Sequence, residues 1–343
     1  MDERILEQLE NVPYQKDEDE TALETIKHLL EDKDMLYGWN YSKEEWDRIN
    51  YELGRIKELG LEKLIVFAFT LNNIADECGR NAILGTEGCS FVLSELIDAT
   101  FSEAKFNLPF ERFFNEYRKF LPVFYMYVEK SGKGKILKKL YEEYGKSLFI
   151  KPKDSDDIYF TSGKPFDSEL IKETVIVAKE NEEAYEENIS ILTSRELSKL
   201  GYYSFSITEV ESIEFFTDAN VTEQSILEKK KELFDDCYHN SVEEFDLIEE
   251  IKPYLSYTEN KLIYQEQFME ICNKVLGISY SMADYYRREF ARKKKENLKS
   301  LKETIMQKFP ENGEKLFDYF YNVVPYSVSK AYLIACVQHK IEE

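Results

Sequence analysis

The 343-residue chain is poor in the residues that build covalent or metal-held frameworks. Its five cysteines, Cys78, Cys89, Cys237, Cys272 and Cys336, are odd in number and form no C-x-x-C pair. This excludes a disulfide scaffold and a thiolate zinc site as organising features and implies a reducing, cytoplasmic setting. His28, His239 and His339 stand isolated in the sequence, and each reads as a surface or capping residue. With only 13 Gly and 8 Pro, the chain is neither collagen-like nor linker-like. The longest apolar run, Leu64–Phe69, falls far short of the roughly 20 residues a membrane helix needs. The amino terminus, MDERILEQLE, is acidic where a secretory signal is basic and then apolar. The expectation is a cytoplasmic protein with no membrane contact. Positive charge is the largest deficit: 45 Lys and Arg face 67 Asp and Glu, a net charge of −22. A chain this acidic cannot coat a polyanion with its whole surface.

The 43% hydrophobic and 14% aromatic residues supply enough apolar surface to offset the chain entropy of folding. The charge is unevenly spread. Met1–Asp34 carries 12 acidic and 4 basic residues, and Asp154–Glu250 carries 26 and 8. Two segments have the opposite sign: Glu129–Lys153, with 8 lysines against 3 glutamates, and Arg287–Lys308, with 9 basic residues against 3 acids. Either basic run can be a solvated helix face or a local anion-binding surface.

Helical periodicity dominates. Trp46, Ile49, Leu53, Ile56 and Leu59 recur at helical spacing, and after Gly60 so do Leu64, Ile65, Phe67, Ala68, Leu71 and Ile74, which predicts two helices broken at the glycine. Further helices are expected over 91–99, 109–117 and 135–144. The β-branched and aromatic PVFYMYVE (122–129) lies between a proline and a Ser-Gly-Lys-Gly turn and predicts a strand, as do 158–161, 174–178 and 202–207. Beyond Gln224 the pattern is helical, with breaks near Pro253, Gly277, Pro310–Gly313 and Pro325. On the predicted strand, Val123, Tyr125 and Tyr127 share one face, and Phe124, Met126 and Val128 the other.

Residues 110–128, FERFFNEYRKFLPVFYMYV, resemble the palm entry of the bacterial replicative DNA polymerase III alpha subunit, F-E-R-F-L-N-P-E-R followed by M-P-D-x-D-x-D-F. Phe110, Glu111, Arg112, Phe113, Asn115, Arg118 and Pro122 match without a gap. YELGRIKELG (51–60), KILKKLYEEYG (135–145), IYQEQFMEI (263–271), ADYYRREFARKKKENL (283–298) and AYLIACVQ (331–338) resemble further motifs of the family in the same order. The resemblance implies an α+β, mostly helical protein: an acidic helical extension (1–46), a degenerate polymerase-beta-like palm (47–225) and a helical fingers-like domain (226–343). It also implies a relative truncated to those regions.

The same comparison removes the family's catalytic groups. The three aspartates of its M-P-D-x-D-x-D-F motif fall on Val123, Tyr125 and Tyr127, the aspartate of its K-F-D-F-L-G segment on Ser204, and its nucleotide-binding glycine loop on the shorter Leu84–Ser90 with Glu87 inside it. Phosphoryl transfer by such polymerases needs two divalent ions held by carboxylates, which valine and neutral tyrosine cannot replace. The expectation is therefore no cofactor, no metal and no catalytic residue. A relocated metal site at Asp154, Asp156 and Asp157 is weighed against a solvated turn, a reactive Cys89 against a small buried residue, and base stacking by Tyr125 and Tyr127 against core packing. The family's basic fingers segment faces the primer–template side. The resemblance thus nominates Arg287, Arg288, Arg292, Lys293, Lys294 and Lys295, with Lys133, Lys135, Lys138 and Lys139 of the first basic run, as nucleic-acid contacts. The implied function is a pseudo-polymerase binding single-stranded or primed DNA, or associating with a replisome. One alternative is a structural subunit docking a protein partner in a replication, phage or defence complex. Another is an active nucleotidyltransferase with relocated metal ligands.

Overall fold

The computed structural model describes residues 3–13, 21–37, 41–78, 83–84, 90–97, 106, 108–119, 121, 123–129, 132–161, 163–177, 184–215, 221–234 and 245–342. Among them the chain is mostly helical with a small mixed sheet, an α+β architecture. It divides into two compact units. Met1–Phe106, Arg118–Thr217 and His339–Glu343 form the first, and Asn107–Tyr117 with Asp218–Gln338 the second. No helix among the described residues is long and apolar enough to cross a membrane.

In the first unit, α1 (Glu3–Glu10), α2 (Ala22–Tyr37), α3 (Lys43–Leu59) and α4 (Glu62–Glu77) precede β1 (Ile83–Leu84) and α5 (Phe91–Ile97). The predicted break at Gly60 is present. A capping box starts α3: Ser42 Oγ accepts from Glu45 N at 3.2 Å while Glu45 Oε2 accepts from Ser42 N at 2.7 Å. Gly60, at φ 66°, ends the helix in the left-handed conformation that costs glycine nothing.

The strands β2 (Phe124–Glu129), β3 (Phe149–Ile150), β4 (Ile158–Phe160) and β7 (Tyr203–Val210) join β1 in a five-stranded sheet ordered β1-β2-β7-β4-β3. Between them lie α6 (Gly132–Tyr144), the hairpin β5 (Ile171–Val177) and β6 (Tyr185–Ser190), and α7 (Ser194–Lys199). β8 (Ser212–Phe215) pairs with β9 (His339–Glu342). Strands β2 and β7 run parallel, with Phe124 opposite Phe205, Tyr125 opposite Ser206 and Tyr127 opposite Thr208. The inner-face residues Phe124, Met126, Val128, Phe205 and Ile207 are each at most 1% exposed. Phe67 of α4 stacks flat on Phe160 of β4, with centroids 5.0 Å apart, and so ties helix to sheet through apolar contact.

Two sequence expectations need correction. Where a Ser-Gly-Lys-Gly turn is expected, Gly132–Gly134 form the first turn of α6, and Ser131 lies outside the described residues. A Cβ on Gly134 would lie 2.8 Å from the Tyr185 ring, so glycine is required by the approach of the hairpin. Residues 109–117 are not a helix either but a single 3-10 turn, Phe110–Arg112, followed by irregular chain. Asn115 is the reason: its Nδ2 donates to the Glu111 carbonyl at 2.7 Å, and its Oδ1 accepts from Tyr117 N at 3.0 Å. The side chain takes over backbone partners that a continuing helix would have used.

The second unit consists of α8 (Glu223–Leu233), α9 (Lys252–Leu255), α10 (Gln265–Glu270), α11 (Tyr280–Ala291), α12 (Lys299–Lys308), α13 (Gly313–Val323) and α14 (Lys330–Gln338). Phe268 meets Phe290 and Phe320 edge-on, at centroid distances of 5.5 and 5.1 Å, at the centre of an apolar cluster that includes Leu298, Leu301, Ile305 and Leu316. The α12–α13 break falls at the expected Pro310–Gly313, where a Cβ on Gly313 would stand 2.9 Å from the Ile305 carbonyl oxygen.

Candidate nucleic-acid interface

In the first unit, strand alternation turns the outer face of β2 toward solvent. Tyr125 is 39% exposed, and Val123 and Tyr127 are half-buried, while their neighbours in sequence are core. The parallel register places Ser206 and Thr208 beside the two tyrosines, and Ser204 lies opposite Tyr159 of β4. Ser204 is buried and its hydroxyl has no hydrogen-bond partner. Val123, Tyr125, Tyr127, Ser204, Ser206 and Thr208 thus offer only methyl, phenol and hydroxyl groups. These are neutral at pH 7 and poor ligands for a hard divalent ion. Among the described residues no group of three or more His, Cys, Asp or Glu side chains could hold a metal.

Asp154, Asp156, Lys133 and Lys139 in this unit are tied to their neighbours. Asp154 Oδ1 accepts from both the backbone N and the Oγ of Ser194 at 2.7 Å, which holds its carboxyl below the usual range. Asp156 pairs with Lys151 at 2.6 Å, and that hydrogen bond lowers its pKa likewise. Lys133 is buried and lies 3.9 Å from the buried Glu187, and Lys139 pairs with Glu77. Lys135 and Lys138 are exposed on α6. Glu87, Cys89 and His239 lie outside the described residues. The start of α5 beyond that loop is held by a residue that sequence reasoning passed over. Glu52, fully buried, accepts from Ser90 Oγ at 3.0 Å, from the N–H groups of Phe91 and Val92 at 2.9 Å, and from Arg48 Nε at 2.6 Å. The helix's first donors are consumed by this internal carboxylate.

In the second unit the basic segment begins on α11, and its charges fall into two groups. Asp284 is fully buried. Its Oδ1 accepts from Arg287 Nε and Nη2 at 2.9 and 2.8 Å, and its Oδ2 lies 3.1 Å from Arg288 Nε. The same Oδ2 accepts from Asn115 Nδ2 at 2.9 Å. Arg288 also donates to the Tyr117 carbonyl through Nη1 and Nη2, both at 3.4 Å. Ser281 Oγ donates to Glu116 at 2.8 Å, and Arg112 donates to Gln265. Three stretches far apart in sequence, 110–117, 264–270 and 280–288, therefore interlock through buried polar groups. Burial pulls the Arg288 pKa down against the opposing pull of Asp284. Arg287 and Arg288 are committed to this lock.

The remaining cations face water. Arg292 is half-exposed while its Nη1 donates to Glu289 at 2.7 Å, and Lys293, Lys294 and Lys295 are exposed. Burial opposes the charge on Glu289, but hydrogen bonds from Asn297 and Arg292 outweigh it and keep the carboxyl below the usual range. Lys295 Nζ sits 4.7 Å from the Tyr321 ring centroid. Lys293 occupies the left-handed region at φ 54°, the position just past α11 where glycine is usual.

Two stretches of the chain match domain families of the bacterial DNA polymerase III alpha subunit. Residues 23–151 match the bacterial DNA polymerase III alpha NTPase domain, and residues 228–313 match the bacterial DNA polymerase III alpha subunit finger domain. DNA polymerase III subunit alpha from Staphylococcus epidermidis is 29% identical over 103 residues, 28% of this chain and 10% of the relative. The subunit from Halalkalibacterium halodurans is 30% identical over 92 residues, 25% of this chain and 8% of the relative. The chain is a DNA polymerase III alpha-like protein, and its aligned stretch spans about a tenth of those relatives.

Proposed function

We propose that the chain is a pseudo-polymerase: the first unit is a degenerate polymerase-beta-like palm, the second a fingers-like unit, and the protein binds nucleic acid without extending it. One observation carries this reading. The stretch resembling the family's aspartate motif sets exposed Tyr125 and half-buried Val123 and Tyr127 at those positions, and β2 lies parallel to a strand bearing Ser204 and Ser206. No carboxylate at those positions can hold the two ions that offset charge on the attacking and leaving oxygens. Nucleic-acid contact is assigned to Arg292, Lys293, Lys294 and Lys295, with Arg287 and Arg288 supporting them from the Asp284 lock. Such a local cationic patch gives salt-sensitive binding despite a net charge of −22.

The test is primer extension with magnesium or manganese beside filter binding to primed DNA. Binding without incorporation supports the proposal, whereas chelator-sensitive incorporation overturns it in favour of an active enzyme with relocated ligands. A second reading is a structural subunit in a replication, phage or defence complex. It is favoured by the burial of Arg287 and Arg288 in an internal ion pair and by the acidic Asp154–Glu250 segment, which suits a basic protein surface. Absence of nucleic-acid binding at physiological salt, together with co-purification of a basic partner, would select it.

A further inference from the structure

Beside the basic run the second unit carries an aromatic surface that no charge argument accounts for. Residues 285, 288 and 292 are spaced three and four apart, so Tyr285 and Arg288 of α11 and Arg292 at its end share one helix face. Tyr117, from the irregular stretch after the 3-10 turn, adds its ring to that face, 5.7 Å from the Tyr285 ring and inclined to it by 46°. Tyr117 is 38% exposed and Tyr285 is half-buried, so the pair is open to a ligand on one side and supported by the fold on the other. The support is rigid: Arg288 grips the Tyr117 carbonyl, and Asn115 holds the Tyr117 N–H. These contacts use the backbone of Tyr117 rather than its ring, which packs on Tyr285. The guanidinium groups on the same face are partly neutralised by Asp284 and Glu289, so general attraction for phosphate comes from Lys293, Lys294 and Lys295 that follow.

A fixed pair of aromatic rings next to exposed cations is the arrangement that recognises unpaired bases. Every base has a π-face, while stacking on a side chain is closed to bases already stacked within a duplex. We infer that the Tyr117–Tyr285 pair is a stacking platform for single-stranded nucleic acid, with phosphates led along Arg292–Lys295. This rests on the nucleic-acid reading above and adds to it the strand state of the ligand.

The experiment measures fluorescence anisotropy of the full chain with four labelled probes of about 15 nucleotides, a length matched to single-strand site sizes. The probes are oligothymidylate, oligouridylate, a duplex, and an abasic oligomer of the same phosphate count. The expected result is preference for the base-bearing single strands, with affinity reduced about 5- to 100-fold for the abasic probe and for Tyr117→Ser, and retained in Tyr117→Phe, which keeps the ring. Because Tyr117 is exposed, Tyr117→Ser should keep the wild-type melting temperature, and Tyr285→Leu provides a second variant. A similar affinity for both sugars, or a preference for one, identifies the strand without altering the assignment. If abasic and base-bearing probes bind equally and Tyr117→Ser is silent, the platform is overturned while the basic patch stands. If no probe binds, the nucleic-acid reading itself falls, and the platform with it.

Discussion

Strand β2 of the first unit and α11 of the second both fall within stretches that match DNA polymerase III alpha domain families, yet they differ in what their polar and charged positions do. In the proposed alignment the family's aspartate positions are Val123, just before β2, and Tyr125 and Tyr127 on it; the strand draws its burial from Phe124, Met126 and Val128 on the other face. On α11 the charged positions are held by burial, because Asp284, Arg287, Arg288 and Asn115 connect the helix to the 110–117 segment. Charges that serve only a ligand can be lost without cost to the fold, whereas charges buried against each other cannot be removed singly. The buried pairing with Asp284 ties R-R to folding, and the proposed nucleic-acid contact rests on the exposed Arg292–Lys295 stretch.

The comparison is broken most forcefully at Asp284. Asp284→Ala leaves two guanidinium groups beside an empty site, and thermal or denaturant unfolding should show a loss of roughly 3–5 kcal/mol. A change under 1 kcal/mol would mean the lock is not structural. The contrast within β2 comes next. Phe124→Ala should cost about 3–5 kcal/mol as a core cavity, while Tyr125→Thr on the outer face should stay within about 0.5 kcal/mol. Comparable losses at both sites would contradict the two-faced strand. Introducing aspartate at 123, 125 and 127 should yield no nucleotide incorporation, since Ser204 and Ser206 on the adjacent strand still supply no carboxylate.

Smaller effects sharpen the other side. Changing Lys293, Lys294 and Lys295 to glutamine should lower the slope of log K against log salt by about 0.7–0.9 for each lost phosphate contact, with the melting curve unchanged. Lys293→Gly relieves a left-handed backbone and should stabilise the fold by roughly 0.5–1 kcal/mol while weakening nucleic-acid binding. A residue whose replacement helps the fold and harms binding is kept for binding. The smallest effect is acid sensitivity at Glu289. Its folded pKa is lowered, so its contribution is fully present above the ordinary value of 4.5 and declines as pH falls below that toward the folded value. Glu289→Gln should therefore flatten the acid limb of a melting-temperature profile and leave the neutral region parallel to wild type.

Much of the local structure was legible in the sequence because short-range physics decides it. The α3–α4 break follows from Gly60 and helical periodicity, β2 from its β-branched and aromatic alternation, and the charge blocks from counting. Strands β6 and β8 escaped because their residues, YEENIS and SIEF, carry no alternation strong enough to stand out from an acidic background. Residues 109–117 deceived for a related reason: the apolar spacing of Phe110, Phe113 and Phe114 suits a helix, and only the hydrogen bonds of Asn115 show that the backbone turns away.

The sequence by itself determined the family, the acidic balance, the absence of carboxylates at positions 123, 125 and 127 and the position of the basic run. Tertiary structure alone decided which of those basic residues face water. Asn115 and Asp284 are 169 positions apart, and no local pattern announces a partner at that distance. An arginine on a helix reads the same in sequence whether its guanidinium meets solvent or a buried carboxylate. The outcome is set by which segments pack together, and there the cost of burying an unpaired charge selects the pairing.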